Sequence, residues 1–277
     1  MKQIFTMCIA SAAIAALASA PADGSASGTN VVRKSGDKGV VVLPGGAKME
    51  VIWCAPGKFR MGSPNDEIGH LADERIHVVT LTKGFWLGKY EVTQGQWDSV
   101  MTSDHSRFRG KNKPVENVSW LDCEEFIDHV NDALGGAARF PTEAEWEYAC
   151  RAGSTAPFSG GESVGGMAWF DKNSDSHTHD VGLTKPNAWG FYDMHGNVLE
   201  WCSDWFSEIK GDAIDPEGPP MGMFKVLRGG CWFFFESDCR SANRVKREPN
   251  LRNCIFGLRL AFSDGAAVSP LRENTSK

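Results

Sequence analysis

Two runs hold the residues whose types and spacing could do chemistry. The first, Pro186 to Trp201, interleaves aromatics and glycines with Asn187, Asp193, Asn197 and Glu200. It follows neither the helical nor the strand period. Oxygen-bearing side chains at such close spacing can fold around a hard cation. The second, Arg228 to Cys239, sets Trp232, Phe233, Phe234 and Phe235 directly after Arg228–Gly229–Gly230–Cys231. Neighbours on a strand face opposite ways, so three successive phenylalanines cannot all point inward. At least one is expected to be exposed or to line a pocket, where a rigid ring makes contact surface. A core strand buried on both faces is the alternative. Ahead of the first run, His177 and His179 have a spacing found at zinc sites, although such a pair in a polar loop is more often solvated.

Local patterns predict the elements that must position these runs. Val40 to Leu43 and Met49 to Trp53 read as strands around the turn Pro44–Gly45–Gly46, with further strands at Phe59 to Met61 and Val78 to Leu81. Phe85 to Val92 alternates loosely, and Thr93 can cap a short helix through Met101. The strongest helix is Trp120 to Leu134. Trp120, Cys123, Phe126, Ile127, Val130 and Leu134 share one face, Ser119 with Asp122 resembles a capping box, and Gly135–Gly136 ends the run. A second helix follows Pro141, opened by Thr142 and Glu145 and stopped by Gly153. From Ser154 to about Pro220 regular structure is sparse, and late strands are expected around Lys225 to Phe234 and Phe256 to Phe262. Two helices among short strands and long loops give an α+β class. Thirty glycines and ten tryptophans fit a loop-rich backbone pinned by large rings.

Residues 1–22 read as an export signal. Lys2 supplies the positive charge, Ile4 to Leu17 is apolar but too short to span a bilayer, and Ala18–Ser19–Ala20 fits the cleavage pattern, with a cut after Ala22 as the alternative. Residues 23–39 read as a flexible leader, 40–263 as the folded domain and 264–277 as a polar tail. The expected location is therefore the periplasm or the exterior. A net charge of −6 offers no basic surplus for nucleic acid, and no membrane span follows the signal. Export makes cysteines candidates for disulfides. Eight cysteines less Cys8 leaves seven, so at least one thiol lacks an internal partner.

Several segments together resemble the formylglycine-generating enzyme, or sulfatase-modifying factor, family. They are Gly57 to Ser63, Tyr90–Glu91–Val92–Thr93–Gln94, Pro114 to Trp120, Arg139 to Glu147, the run Pro186 to Trp201, Arg228–Gly229–Gly230 and Gly257–Leu258–Arg259, in the family's order across residues 50 to 262. The resemblance implies an irregular, loop-rich fold similar to a C-type lectin domain, with bound calcium. It carries a calcium site onto Asp193, Gly196, Val198 and Glu200, and a second one near Trp169 to Asp180. There Asp171, Asn173 and Asp175 alternate, but Ser176 and Gly182 fail the EF-hand pattern. It also implies a Cys150–Cys239 disulfide, closing a loop of roughly ninety residues worth on the order of 4 kcal/mol.

Active members of the family oxidise a sulfatase cysteine with copper(I) and oxygen, held by two thiolates in a C-x-x-x-x-C pattern after the Arg–Gly–Gly turn. Soft thiolates suit copper(I). Here phenylalanines occupy that segment, and Cys231 and Cys239 stand eight apart. The copper pair is missing, which argues against copper and against ordinary formylglycine synthesis. Two functions from different classes follow. One is an exported binding domain that takes a peptide or protein, a sulfatase among the candidates, in a groove formed by Arg228, Cys231, Trp232, Phe233, Phe234 and Phe235. The other is an oxidoreductase with divergent ligands, for which Cys231 is the only candidate thiolate and no motif histidine activates it. The stretch Arg244 to Phe256 resembles proteins of this fold whose C-terminal part is diversified to bind varied ligands.

Overall fold

A computed structural model describes residues 32–271. The export signal, Cys8 and the last six residues lie outside the described residues. β1 (Lys38–Val42) and β2 (Lys48–Cys54) pair antiparallel across Pro44–Gly46, where Gly45 takes φ 76°. β3 (Gly57–Met61) pairs with β4 (His77–Leu81), and β5 (Phe85–Gly88) returns beside β2. Thr93 and Gln96 form a capping box on α1 (Gln94–Trp97), a single turn that stops well short of Met101. α2 (Trp120–Leu134) has the predicted bounds. Ser119 and Asp122 cap it reciprocally, Cys123, Phe126, Ile127 and Val130 are buried, and Gly135 ends it at φ 75°. β6 (Ala138–Arg139) leads into α3 (Glu143–Arg151), capped by Thr142 and Glu145.

The second half is built from short pieces. β7 (Ala168–Trp169) pairs with β8 (His195–Gly196), while β9 (Leu199–Trp205), β10 (Ala213–Ile214), β11 (Lys225–Arg228) and β12 (Val245–Arg247) follow. β13 (Phe256–Gly257), β14 (Ala261–Ser263) and β15 (Ser269–Pro270) close the described chain. One sheet runs β15-β1-β2-β5-β14-β6 and another β12-β11-β9-β13; β10-β4-β3 makes a third. The core includes Trp97 stacked on Phe126, with Trp201, Leu227 and Phe256.

Three expectations change. The strand expected from Lys225 to Phe234 ends at Arg228, because Gly229 and Gly230 at φ 99° and 76° turn the chain away; Trp232 to Phe235 form a tight turn. The single strand expected from Phe256 to Phe262 is two strands in different sheets. The leader and tail both contribute structure, since β1 begins at Lys38 and Ser269–Pro270 pairs with it.

Candidate functional site

Arg228 sits at the end of β11 and is fully buried. It donates to the carbonyls of Ser241, Ala242 and Asn243 at 2.8, 2.9 and 2.9 Å and pairs with Glu147. Its guanidinium therefore folds the return loop and does not reach a groove, contrary to its expected place there. Cys231 is likewise sealed. Burial pushes its thiol up to about 12, and the backbone N–H groups of Phe233 and Phe234 offset this only in part. A neutral, inaccessible thiol is neither a nucleophile nor a groove wall.

The aromatic turn itself does reach the surface. Trp232 is buried, with its indole N–H donating to the Cys254 carbonyl at 3.2 Å and its ring edge-on to Phe108 at 5.3 Å. Phe234 is half-buried, whereas Phe233 and Phe235 are 67% and 66% exposed. The four rings line a cavity of about 340 Å³ together with Asp171, Ser174, Ser176 and Asp238. The loop carrying Asp171 is fixed to them, as the Asp171 N–H donates to the Phe234 carbonyl at 3.0 Å and the Ser174 hydroxyl to the Trp232 carbonyl at 2.7 Å. Sequence patterning singled out the rings. It missed the serines and Asp238 as wall residues, since no local signal marks a loop that closes on a turn sixty residues away. A larger cleft of about 1110 Å³ beside Trp53, Trp120 and Phe140 contains no residue of either run.

At the positions expected to hold calcium, the side chains and N–H groups have partners within the protein. The Glu200 carboxylate accepts from Arg259 Nη2 at 2.6 Å, Arg259 Nε at 2.9 Å and the Trp146 indole at 2.6 Å. The Asp193 oxygens accept the Gly182 N–H at 2.6 Å and the Thr184 hydroxyl at 2.8 Å. The N–H groups of Gly196 and Val198 donate to Gly229 O and Glu91 Oε1. Burial, then repulsion from Asp193 and Glu200, holds Glu91 well above the usual carboxylate range. The Arg259 guanidinium supplies a positive charge among these acids. Near Trp169 to Asp180, Asn173 caps the local turn, and His177 and His179 bond the carbonyls of Thr178 and Ser174, both at 2.8 Å. Among the described residues no cluster of His, Cys, Asp or Glu is arranged to hold a metal ion.

Nor is the Cys150–Cys239 disulfide formed; both are buried free thiols. The Cys150 sulfur contacts His195 Nε2 at 3.7 Å and the Ser241 hydroxyl at 3.6 Å. The other ring nitrogen of His195 bonds the Cys239 carbonyl at 2.8 Å, so the imidazole contacts both residues.

The sequence pattern of the sulfatase-modifying factor enzyme 1-like domain matches residues 42–263. The serine/threonine-protein kinase pkn1 of Chlamydia caviae is 37% identical over 248 residues, covering 76% of this chain and 38% of that protein. The formylglycine-generating enzyme of Streptomyces coelicolor is 36% identical over 171 residues, covering 54% of this chain and 52% of the enzyme. The chain thus spans about half or less of the length of these relatives. Among solved structures, Treponema denticola variable protein 1 superposes with a TM-score of 0.75 at 30% identity, over 82% of this chain and 99% of that one. PvdO from Pseudomonas aeruginosa also gives a TM-score of 0.75, at 29% identity, over 84% of this chain and 100% of that one.

Proposed function

The chain belongs to the sulfatase-modifying factor enzyme 1-like domain family, and we propose that it is a binding member of it, exported and taking a peptide or protein segment in the cavity walled by Trp232 to Phe235. The observation that carries this reading is the pair of exposed rings, Phe233 and Phe235, standing in the segment after Arg228–Gly229–Gly230. Exposed phenylalanines cost solvation, and two of them on one turn around a cavity make a hydrophobic contact surface. Between Cys231 and Cys239 the segment carries no sulfur, and both of those thiols are buried, with burial holding them up as neutral thiols. Export rests on the signal pattern of residues 1–22.

The formylglycine-generating relatives make a sulfatase-motif peptide the first probe. The purified chain is incubated with copper, oxygen and that peptide, and the peptide is weighed by mass spectrometry. The expected result is an unchanged mass. Conversion of the peptide cysteine at a useful rate would overturn the binding reading in favour of an oxidoreductase.

A further inference from the structure

We propose that a cavity of about 420 Å³ between β4 and the chain following β9 binds a small aliphatic amine, with the Asp204 carboxylate and the His77 ring receiving its ammonium group. The site stands apart from the aromatic turn, and the two cavities share no lining residue. His77 opens β4, Asp204 lies near the end of β9 and Glu143 begins α3, so three elements meet at this cavity. His77 and Asp204 are only 7% and 5% exposed, yet each keeps one polar atom without a partner among the described residues. The His77 Nδ1 bonds the Arg75 carbonyl at 2.9 Å and must donate to it, so Nε2 of the neutral ring is left as an acceptor. Asp204 Oδ2 accepts the Glu143 N–H at 2.8 Å and the Ser203 hydroxyl at 2.9 Å, while Oδ1 is left open.

The charges around the cavity call for a cation. Burial, then repulsion from Glu143, pushes the Asp204 carboxyl up to about 7, as expected of a carboxylate short of counter-charge. The neighbouring cations are committed elsewhere. Arg244 pairs with Glu143 at 2.6 Å and donates to the carbonyls of Asp73 and Ser207. Lys225 donates to the Ser203 carbonyl at 2.6 Å, with its ammonium 4.0 and 4.1 Å from the rings of Trp120 and Trp205. Asp212 adds a second acid to the wall, its Oδ1 accepting the Val78 N–H at 2.8 Å. Glu208 and Lys210 are exposed at the rim and of opposite sign, so they leave the balance unchanged. An ammonium carries three donors and no acceptor, which suits a carboxylate oxygen and a bare imidazole nitrogen. An anion would meet Asp204 and Asp212, and the first N–H of α3 is already taken by Asp204. Met61, Ala144, Ile209 and Pro216 offer apolar contact to an alkyl stem. The volume lies near the lower end of ligand pockets, roughly 300–1,000 Å³, which suits a small amine rather than a folded partner.

Titration of the full chain with n-butylamine and with n-butanol, followed by amide NMR, tests this. At about pH 8 the carboxyl is largely ionised and the amine still cationic. The Glu143 N–H, seated on Asp204, and the Val78 N–H, seated on Asp212, are the reporters. The amine is expected to move both and to bind at least about tenfold more tightly than the alcohol, which keeps the stem and removes the charge. Asp204→Asn keeps an oxygen for the Glu143 N–H and should bind amine and alcohol alike. His77→Phe removes the second acceptor and should weaken the amine by about threefold or more while leaving the alcohol unchanged. It carries the test alone if Asp204→Asn does not fold. Alcohol binding as tight as amine binding would overturn the ammonium assignment. An amine preference undiminished in Asp204→Asn or in His77→Phe would overturn the assignment to these two residues. Reporters that stay still up to tens of millimolar of either probe would overturn the site itself.

Discussion

His195 shows how a single residue's chemistry is decided by what surrounds it. The Ser159 N–H can only donate and the Cys239 carbonyl can only accept, so Nε2 is bare and Nδ1 carries the proton. The Ser159 hydroxyl adds a second donor to Nε2 at 2.9 Å. A further proton has no place to go, and burial, with a smaller push from Arg151, holds the group down at about 4 instead of 6.5. The sign follows. In the unfolded chain the imidazole takes a proton near pH 6.5, while the folded chain refuses it until about pH 4. Stability is therefore complete above pH 6.5 and is lost as pH falls towards 4, by about 3 kcal/mol in all. Urea denaturation of wild type and His195→Gln between pH 7 and pH 4 checks this. The wild-type advantage should shrink on acidification, and parallel curves would refute the assignment. None of it was legible in the sequence, because the run that holds His195 does not name its ring's partners; those come from residues 159 and 239.

At the scale of elements, the best-read parts were those whose signals are local. The bounds of α2 and the caps of α3 follow from a serine or threonine three residues before an acid and from the buried face between. The run Pro186 to Trp201 failed the same approach for a physical reason. Asp193, Gly196 and Asn197 all take left-handed φ, at 56°, 84° and 59°, so no period survives across them. β9 then begins at Leu199 with four successive buried residues, and a strand covered on both faces shows no alternation. Gly196 is the hinge of this arrangement. A Cβ there would lie 2.1 Å from the Trp169 carbonyl oxygen, across the β7–β8 pairing. Gly196→Ala adds that clash to a left-handed strain of about 1–3 kcal/mol, and is expected to cost at least about 2 kcal/mol in chemical denaturation. A loss below about 0.5 kcal/mol would mean that the β7–β8 approach is looser than described. Gly135→Ala, open to solvent at the end of α2, is the control that carries φ strain without a clash.

For the whole molecule, the question is what holds so many long loops in place. The family resemblance points to calcium, and the structure adds buried arginines that span these loops. Arg240 joins Glu67 and Glu74 to the 3-10 turn at Ser237, Arg244 joins Glu143 to the carbonyls of Asp73 and Ser207, and Arg228 joins α3 to residues 241–243. Arg259 reaches Glu200, Gly88 O and Tyr192 O, binding β9 to the end of β5 in the large sheet and to the residues that precede β8. The motif pieces Arg228–Gly229–Gly230 and Gly257–Leu258–Arg259 were visible in the sequence, but their role as internal cations was not, because their carboxylate partners Glu147 and Glu200 lie 81 and 59 residues away. This distinction can be measured. If Arg259 neutralises Glu91, Asp193 and Glu200, then adding calcium or a chelator should leave the thermal midpoint unchanged. Glu200→Gln should instead destabilise by about 3–5 kcal/mol, because it strands a buried guanidinium. A calcium ion bound at Glu200 predicts the reverse: chelation would lower the midpoint by several degrees, and Glu200→Gln would abolish that dependence. Scanning wild type and Glu200→Gln with and without chelator separates the two, and a midpoint that falls on chelation in wild type alone would show that these acids hold a metal after all.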